Sequence, residues 1–290
     1  MRRRYLFVLC LVTIVAPWAV AQEVGPAKGA LVIAGGGRLD DAILERFLDL
    51  AGGRDAPVVV IPTAGGEGDY GPYWAGLAGF RAVGATHLTV LHTTDRAVAN
   101  TDAFVQPIRE ARGVWFAGGR QWRLADAYLH TKVQDELNAL LERGGVIGGT
   151  SAGATIQGSY LVRGDTRSNT IMMGDHVEGM GFLKRTAIDQ HVLRRNRQFD
   201  LIPVIEAHPE LLGIGIDEAT AIVVQGNRFQ VMGAGYVLIF DHERQLDSGG
   251  QFYFLAPGDR FDLKTRVAER PGQSWTPLER VQPKPWPARR

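Results

Sequence analysis

Residues 146–157 read Val-Ile-Gly-Gly-Thr-Ser-Ala-Gly-Ala-Thr-Ile-Gln, and this stretch decides the fold. The apolar pair at 146–147 predicts a short strand, and residues 154–157 begin a predicted helix. Residues 149–153 match G-x-S-x-G, which places a serine on a sharp strand-to-helix turn. Free N–H groups at a helix start favour developing negative charge, so Ser151 is a candidate nucleophile. The simpler alternative is a serine that only caps the helix.

Strand and helix patterns alternate on the N-terminal side of this turn. Buried strands are predicted from short apolar runs at 31–33, 58–61, 88–91, 114–116 and 146–147. Helices are predicted, from apolar residues three and four apart, at 40–50, 73–83, 101–112 and 131–143. Repeated strand, helix and strand predict an α/β fold with a mostly parallel sheet and helices on both faces.

The C-terminal half predicts a small antiparallel extension of this sheet. Short strands follow one another closely at 187–188, 213–216, 220–224, 229–232 and 236–240. Gly226-Asn227 lies between two of them and is typical of a hairpin turn. No change of composition marks a linker before about residue 265. We therefore predict a single α/β domain over 22–265 and a tail containing proline and arginine over 266–290.

The first 21 residues predict a secretory signal peptide, removed from a secreted or periplasmic protein. Three arginines at 2–4 precede an apolar run at 5–15, and Ala-Val-Ala at 19–21 precedes Gln22. The apolar run is too short for a spanning helix, so no stable membrane anchor is expected after cleavage; the alternative is an uncleaved anchor. Cys10, the one cysteine of the chain, lies inside this segment. The mature protein is therefore expected to have no disulfide, thiolate metal site or cysteine nucleophile.

Charge and composition exclude several classes of protein. The chain has 32 basic and 31 acidic residues, and loss of the three signal arginines changes its net charge from +1 to −2. This balance does not favour nucleic acid as a partner. No complete dinucleotide or P-loop glycine motif is present, and neither a metal nor another cofactor is expected. The oligomeric state stays open, a homodimer included.

Glycine is in excess, at 36 of 290 residues. Four clusters follow predicted strands, at 35–37, 65–66, 118–119 and 148–149. Ligands bind at the carboxyl ends of strands in open parallel sheets, and glycine lets the backbone approach them closely. The clusters favour a binding site at this edge, whereas the simpler reading is a set of tight turns.

A nucleophilic serine needs a general base and an acid that orients it. His191 ends a short predicted strand just before the basic run 194–197, which makes it the candidate base, with His176 as runner-up. Asp217-Glu218 follows another strand and offers a carboxylate; the alternative is a solvated pair. The order Ser, His, Glu along the chain differs from the Ser, Asp/Glu, His order of α/β-hydrolases. This order is compatible with catalysis, but it does not favour the α/β-hydrolase fold.

Five segments of the sequence together resemble the cyanophycinase and aspartyl dipeptidase family of serine peptidases. They are residues 34–37, 116–121, 149–154, 189–191 and 213–218, and the similarity extends over residues 30–241. The resemblance implies a flavodoxin-like fold related to class I glutamine amidotransferases. It also implies Ser151 as nucleophile, His191 as general base and later acid, and Glu218 as the residue that orients the imidazole. The backbone N–H groups of Ala152 and Gly119 would form the oxyanion hole.

The same resemblance implies a pocket for an aspartate main chain that bears arginine on its side chains. Its predicted residues are Gln121, Asp189, Gln190, Arg195 and Arg197.

This sequence departs from the family pattern at two positions. Arg120 stands where cyanophycinases usually have aspartate, and Asp200 stands where they usually have a third arginine. Asp200 either removes a contact with a substrate carboxylate or pairs with Arg120. The sequence leaves both alternatives open.

Three functions are compatible with these patterns. The first is a secreted cyanophycinase-like serine exopeptidase that hydrolyses cyanophycin or related aspartate-rich, β-aspartyl peptides through an acyl-enzyme. The second is an aspartyl or isoaspartyl dipeptidase that acts on short peptides. The third is a secreted peptide-binding protein without catalytic activity.

Overall fold

The computed structural model describes residues 23–66, 68, 70–244 and 250–271, and the predicted signal segment lies outside these residues. Its helices are α1 Asp41–Ala51, α2 Ala78–Ala82, α3 Arg96–Ala99, α4 Asp102–Glu110, α5 Gln121–Tyr128, α6 Lys132–Glu142, α7 Ala152–Thr155 and α8 Ile202–Ala207. Its strands are β1 Ala30–Ala34, β2 Val58–Ile61, β3 Leu88–Val90, β4 Gly113–Phe116, β5 Val146–Thr150, β6 Gly158–Tyr160, β7 Leu183–Gln190, β8 Leu212–Ile216, β9 Thr220–Gln225, β10 Arg228–Gly233, β11 Val237–Asp241, β12 Tyr253–Leu255, β13 Arg260–Asp262 and β14 Val267–Glu269.

The larger sheet has nine strands in the order β14-β13-β10-β9-β1-β5-β4-β2-β3. Strands β1 to β5 pair in parallel, as the alternating sequence predicts. From β9 onward the pairing is antiparallel, and Gly226 turns the β9–β10 hairpin at a φ of 56°. The predicted α/β architecture and its antiparallel extension are therefore confirmed.

Both faces of the parallel strands are buried, because alternate side chains pack against helices on opposite sides. On one face, Val32 and Val60 pack with α1, where Phe47 meets Trp115 edge to face at 5.1 Å between ring centroids. On the other face, residues such as Ile33 join a core that includes α4 and α6. Side chains cap two of these helices: Asp40 and Thr101 accept hydrogen bonds from the first turns of α1 and α4.

Three of the strands that the sequence analysis assigned to this extension, at 187–188, 213–216 and 236–240, lie instead in a second sheet. It has five strands in the order β12-β11-β8-β7-β6. Strands β6, β7 and β8 are parallel, and β11 and β12 are antiparallel to their neighbours. Ile188 and Ile214 of this sheet belong to the same buried core as Ile33 of the larger sheet. The chain leaves β7 at His191 and β8 at Asp217, so this sheet brings the candidate base and acid toward β1 and β5.

The folded domain continues past residue 265, where the sequence placed the start of the tail. Strand β14 pairs with β13 along three residues. Arg266 also forms an ion pair with the buried Asp241, with 2.7 Å between Nη1 and Oδ1. These contacts make the segment up to Glu269 part of the sheet, whereas residues 272–290 lie outside the described residues.

Candidate active site

Ser151 occupies a strained elbow between β5 and α7. Its φ of 55° and ψ of −115° are rare for a residue with a side chain, and such strain is common at functional sites. The elbow is held by the Ser151 N–H, which donates to the Ala34 carbonyl of β1 at 3.0 Å. The flanking glycines are required sterically: a Cβ at Gly149 would lie 2.2 Å from the Gly153 oxygen, and one at Gly153 would lie 2.2 Å from the Phe116 oxygen.

Three residues predicted to act together form one chain of hydrogen bonds. The Ser151 Oγ lies 2.9 Å from Nε2 of His191. The other ring nitrogen, Nδ1, lies 2.6 Å from Oε1 of Glu218. The backbone fixes His191 at a φ of 55° and ties its N–H to the Gly35 carbonyl at 3.0 Å. Serine, imidazole and carboxylate thus have the geometry of a nucleophile, its base and the group that orients the base.

The surroundings of His191 keep its imidazole neutral near pH 7. Burial lowers the pKa of His191, the hydrogen bond with Glu218 opposes this effect, and the nearby cations Arg195 and Arg197 lower the pKa further. The net pKa is below the ordinary value of 6.5. With Nδ1–H donating to Glu218, a neutral ring leaves Nε2 as the acceptor for the Ser151 hydroxyl.

We predict that kcat/KM rises as His191 loses its proton, and that it reaches its plateau at a lower pH than an ordinary histidine would give. A general base works when deprotonated, so activity is lost as the pH falls through the His191 pKa. The midpoint should lie below 6.5 for the native enzyme. Arg195→Gln removes a cation that lowers this pKa, so its midpoint should move to higher pH. A pH–rate profile with its midpoint above 6.5 for the native enzyme, or an Arg195→Gln midpoint that moves down, would contradict this account.

The candidate oxyanion donors, Gly119 and Ala152, lie beside the elbow. A Cβ on the neighbouring Gly118 would be 3.3 Å from the Ser151 Cβ, so the turn after β4 passes next to the serine. Gly119 has a φ of 147°, and a Cβ there would lie 2.1 Å from the Ala64 oxygen. Within the described residues, the N–H groups of Gly119 and Ala152 donate to no protein acceptor. Both donors are therefore free for a developing oxyanion.

The residues predicted to bind substrate differ in how accessible their side chains are to a ligand. Gln121 is 1% exposed, and its Nε2 donates to the Val162 carbonyl at 2.9 Å. Gln190 and Arg197 are largely buried, and Nη1 of Arg197 donates to both oxygens of Gln190 at 3.3 Å. Arg195 is exposed, and its backbone N–H donates to the His191 carbonyl at 3.0 Å. Gln190 and both arginines thus lie close to the candidate base.

Asp189 is placed behind this pocket, because its side chain is fully buried. Both of its carboxylate oxygens accept from Arg163, at 2.7 Å from Nε and 2.8 Å from Nη2. In this position Asp189 holds the Arg163 guanidinium, and its Oδ1 also accepts a hydrogen bond from the backbone N–H of Gln190. A direct contact between Asp189 and a ligand would require the Arg163 pair to open.

Arg163 is a functional candidate that sequence reasoning missed. It is 1% exposed and, besides Asp189, it binds Oδ2 of Asp200 at 2.6 Å and the Asn169 carbonyl at 3.0 Å. Asp200 therefore pairs with Arg163, and the alternative pairing with Arg120 does not occur. Arg120 donates to the Asp165 carbonyl at 2.6 Å instead. No local pattern marks Arg163, since its acidic partners lie 26 and 37 residues away along the chain.

His176, the runner-up base, is bound by two carboxylates. Nδ1 lies 2.9 Å from Asp175, and Nε2 lies 2.8 Å from Asp126 on α5. Partial burial lowers the pKa of His176, but the two carboxylates outweigh this effect and raise the pKa above its usual value. Both ring nitrogens are engaged, so His176 links its loop to α5 instead of activating the serine.

Among residues 23–66, 68, 70–244 and 250–271, no cluster of three or more His, Cys, Asp or Glu side chains is arranged to hold a metal ion. Over the same part of the chain, no helix has the length and apolar character needed to cross a membrane.

Comparison with known proteins places this chain in a family. Residues 31–232 match the sequence profile of Peptidase family S51. The chain belongs to this peptidase family. A cyanophycinase from Geminocystis herdmanii is 31% identical over 242 residues, which cover 77% of this chain and 88% of the relative. A cyanophycinase from Synechococcus elongatus is 34% identical over 220 residues, which cover 73% of this chain and 68% of the relative.

The fold of the S51 peptidase is also found in a solved structure. The crystal structure of a peptidase from an acI-B1 Actinobacterium superposes with a TM-score of 0.63 at 24% identity, over 82% of this chain and 98% of that chain. This likeness shows the fold alone. The family match and the curated relatives confirm the predicted resemblance and make the chain a cyanophycinase-like, serine-type peptidase. They favour the catalytic hypotheses over a binding protein without activity.

Proposed function

We propose that this S51 peptidase is a secreted exopeptidase that hydrolyses cyanophycin, or related aspartate-rich and β-aspartyl peptides, through an acyl-enzyme. The observation that carries the proposal is the hydrogen-bonded chain from Ser151 through His191 to Glu218. It occurs in a chain whose curated relatives include cyanophycinases at 31% and 34% identity. The substrate, the covalent intermediate and secretion are each parts of the proposal that experiments test separately.

The geometry supports a two-step reaction at Ser151. As Oγ attacks the scissile carbonyl carbon, Nε2 of His191 takes the hydroxyl proton, and Glu218 stabilises the imidazolium through Nδ1–H. The N–H groups of Gly119 and Ala152 would bind the carbonyl oxygen as it gains negative charge. The C–N bond then breaks, and Nε2 returns the proton to the leaving amine. In the second step His191 deprotonates a water molecule, which attacks the acyl-enzyme ester and releases Ser151 with its proton.

The charge around the site favours a substrate that carries carboxylates. Arg195 and Arg197 are close enough to His191 to lower its pKa. Neither forms an ion pair with a carboxylate of the described residues, and Asp189 and Asp200, whose charges act on Arg197, both bind Arg163. Arginine pairs well with carboxylates, so these cations suit the free acid groups of an aspartate-based chain.

The experiment is incubation of the mature protein with cyanophycin, followed by chromatography for β-aspartyl-arginine. We expect release of the dipeptide by the native protein and none by Ser151→Ala. A fluorophosphonate that labels Ser151 shows independently whether the serine is reactive. A labelled enzyme that releases nothing from the polymer would reject the substrate, and equal release by the Ser151→Ala variant would reject the mechanism.

One observation favours a second candidate, an aspartyl or isoaspartyl dipeptidase. Asp200 places a carboxylate where cyanophycinases usually have an arginine, and it is held there by Arg163 at 2.6 Å. This substitution removes a cation from the pocket and changes what the pocket binds. A panel of dipeptides with N-terminal or isoaspartyl residues, assayed beside the polymer, separates the candidates. Higher kcat/KM on dipeptides than on polymer termini would favour the second one.

The secretion part of the proposal rests on the N-terminal segment, which lies outside the described residues. We expect the full chain, expressed in a Gram-negative host, to accumulate in the periplasm with Gln22 as its first residue. Mass spectrometry of the periplasmic fraction checks this. Replacing Arg2, Arg3 and Arg4 with glutamate is the control, because it removes the positive start of the segment. Retention of an intact N-terminus in the membrane fraction would support an uncleaved anchor.

A further inference from the structure

Arg120 lies beside the candidate oxyanion hole and links it to the loop after β6. It follows Gly119 directly, and its backbone N–H donates to the Ala64 carbonyl at 2.8 Å. The turn that carries it passes the nucleophile at Gly118, whose Cβ position is 3.3 Å from the Ser151 Cβ. Its side chain reaches the loop at Asp165. Arg120 is therefore one residue from a group that would contact the reacting carbonyl.

The guanidinium of Arg120 uses few of its donors within the protein. Nη2 donates to the Asp165 carbonyl at 2.6 Å. Nε is buried and makes no hydrogen bond. A guanidinium has five N–H groups, so the other four meet no acceptor in the described part of the chain. Nη1 also makes no hydrogen bond within the described residues, and unlike Nε it is not one of the buried unpaired atoms, so Nη1 is the donor group that a ligand can reach.

Asp165, whose carbonyl binds Arg120, has its own carboxylate engaged elsewhere. The Asp165 carboxylate accepts from the backbone and guanidinium of Arg167. Asp200 and Asp189 both bind Arg163. Arg120 itself forms no ion pair with a carboxylate of the described residues, so its positive charge remains available to a ligand.

We propose that Arg120 is a specificity-determining residue that binds a substrate carboxylate next to the scissile bond. The inference rests on the proposed function and specifies the substrate class: peptides with a free acid group at this subsite. The family usually has aspartate at this position, which would repel a carboxylate and favour a cationic group. Arginine reverses that preference, and its planar array of donors fits a carboxylate with paired hydrogen bonds.

The test compares two substrates that differ only in this acid group. One is a β-aspartyl dipeptide with a free α-carboxylate, and the other carries a carboxamide in its place. We expect the native enzyme to favour the acid by about 10- to 100-fold in kcat/KM, mainly through KM. Arg120→Gln should bring the ratio close to one, whereas Arg120→Lys should keep part of it. Equal losses on both substrates, or an unchanged ratio, would overturn the proposal.

Arg228→Gln is the matched control. Arg228 is exposed on β10, next to the β9–β10 hairpin and at the opposite end of the strands from Ser151. This variant removes one arginine and should keep the native ratio. Arg120→Lys retains the positive charge and should keep part of the ratio. It therefore tests the proposal even if the Arg120→Gln variant unfolds at a lower temperature than the native protein.

A binding assay separates this proposal from the proposed function. The fluorophosphonate labelling of Ser151 is measured in the presence of the acid dipeptide or its carboxamide, and requires no turnover. We expect the acid to protect Ser151 at about 10- to 100-fold lower concentration, and Arg120→Gln to abolish the difference. This pattern of protection, without hydrolysis of the dipeptide, would support the role of Arg120 and reject the dipeptide as a substrate. Equal protection by both ligands would reject the role of Arg120 even if hydrolysis occurs.

Discussion

Ser151→Ala should lower kcat for peptide hydrolysis by at least about 10⁴-fold, the scale seen when a serine peptidase loses its nucleophile. The Oγ lies 2.9 Å from the candidate base, and alanine offers His191 no proton to accept and the carbonyl no attacking atom. The fold should be unaffected, because Ser151 Oγ has no other hydrogen bond among the described residues and the backbone bond to Ala34 stays. Steady-state kinetics and a thermal melt measure the two effects.

Thr86→Ala is a suitable control for Ser151→Ala. It also removes one hydroxyl, at an exposed site where Thr86 bonds Asp55 and the Arg54 carbonyl. Activity and fluorophosphonate labelling should match those of the native protein. A Ser151→Ala variant that keeps activity within about tenfold of native, or that still takes up the label, would show that another residue is the nucleophile.

The elbow could be predicted from sequence because its determinants are local. A strand, a small-residue turn and a helix follow one another within residues 146–157, and Ser151 occupies the turn. The base and acid were harder, because local sequence only showed that His191 and Glu218 follow strands. Local sequence left His176 as the second candidate base. One of its carboxylate partners, Asp175, is its neighbour in sequence, whereas the other, Asp126 of α5, reaches it only in the folded chain.

The second sheet could not be predicted, because a short apolar run shows that a strand is buried but does not show which strands it pairs with. Strands β7 and β8 belong to a sheet separate from β5, yet their ends deliver His191 and Glu218 to Ser151. The Arg163 cluster was missed for a related reason. An arginine in a loop is normally solvated, and only the chain's return at Asp189 and Asp200 makes this one buried and paired.

The glycines at the end of β1 were predicted to approach a ligand, and in the structure they approach the catalytic candidates. A Cβ at Gly37 would lie 2.6 Å from Oε2 of Glu218. One at Gly36 would lie 2.2 Å from Cε1 and 2.6 Å from Nε2 of His191. Both residues have positive φ, at 70° and 116°, which glycine adopts without strain. The role of this cluster is therefore to leave room for the imidazole and the carboxylate.

Gly36→Ala should lower kcat by at least about 10²-fold while the protein stays folded. The new methyl group and the His191 ring cannot occupy the same space at 2.2 Å. The ring is the end of a rotatable side chain, so it can turn away at modest cost to stability. Turning breaks the 2.9 Å contact between Nε2 and Ser151 Oγ, and proton transfer depends on that contact.

Gly52→Ala separates the steric effect from backbone strain. Gly52 has a φ of 108°, close to that of Gly36, but no atom lies within 4 Å of its Cβ position. Both variants should lose about 1 to 3 kcal/mol of unfolding free energy from the strained backbone, measured by urea denaturation. Only Gly36→Ala should lose activity. Both variants strain the backbone, but only Gly36→Ala places a methyl group against the His191 ring. Equal activity losses in the two variants would therefore contradict displacement of this ring as the cause.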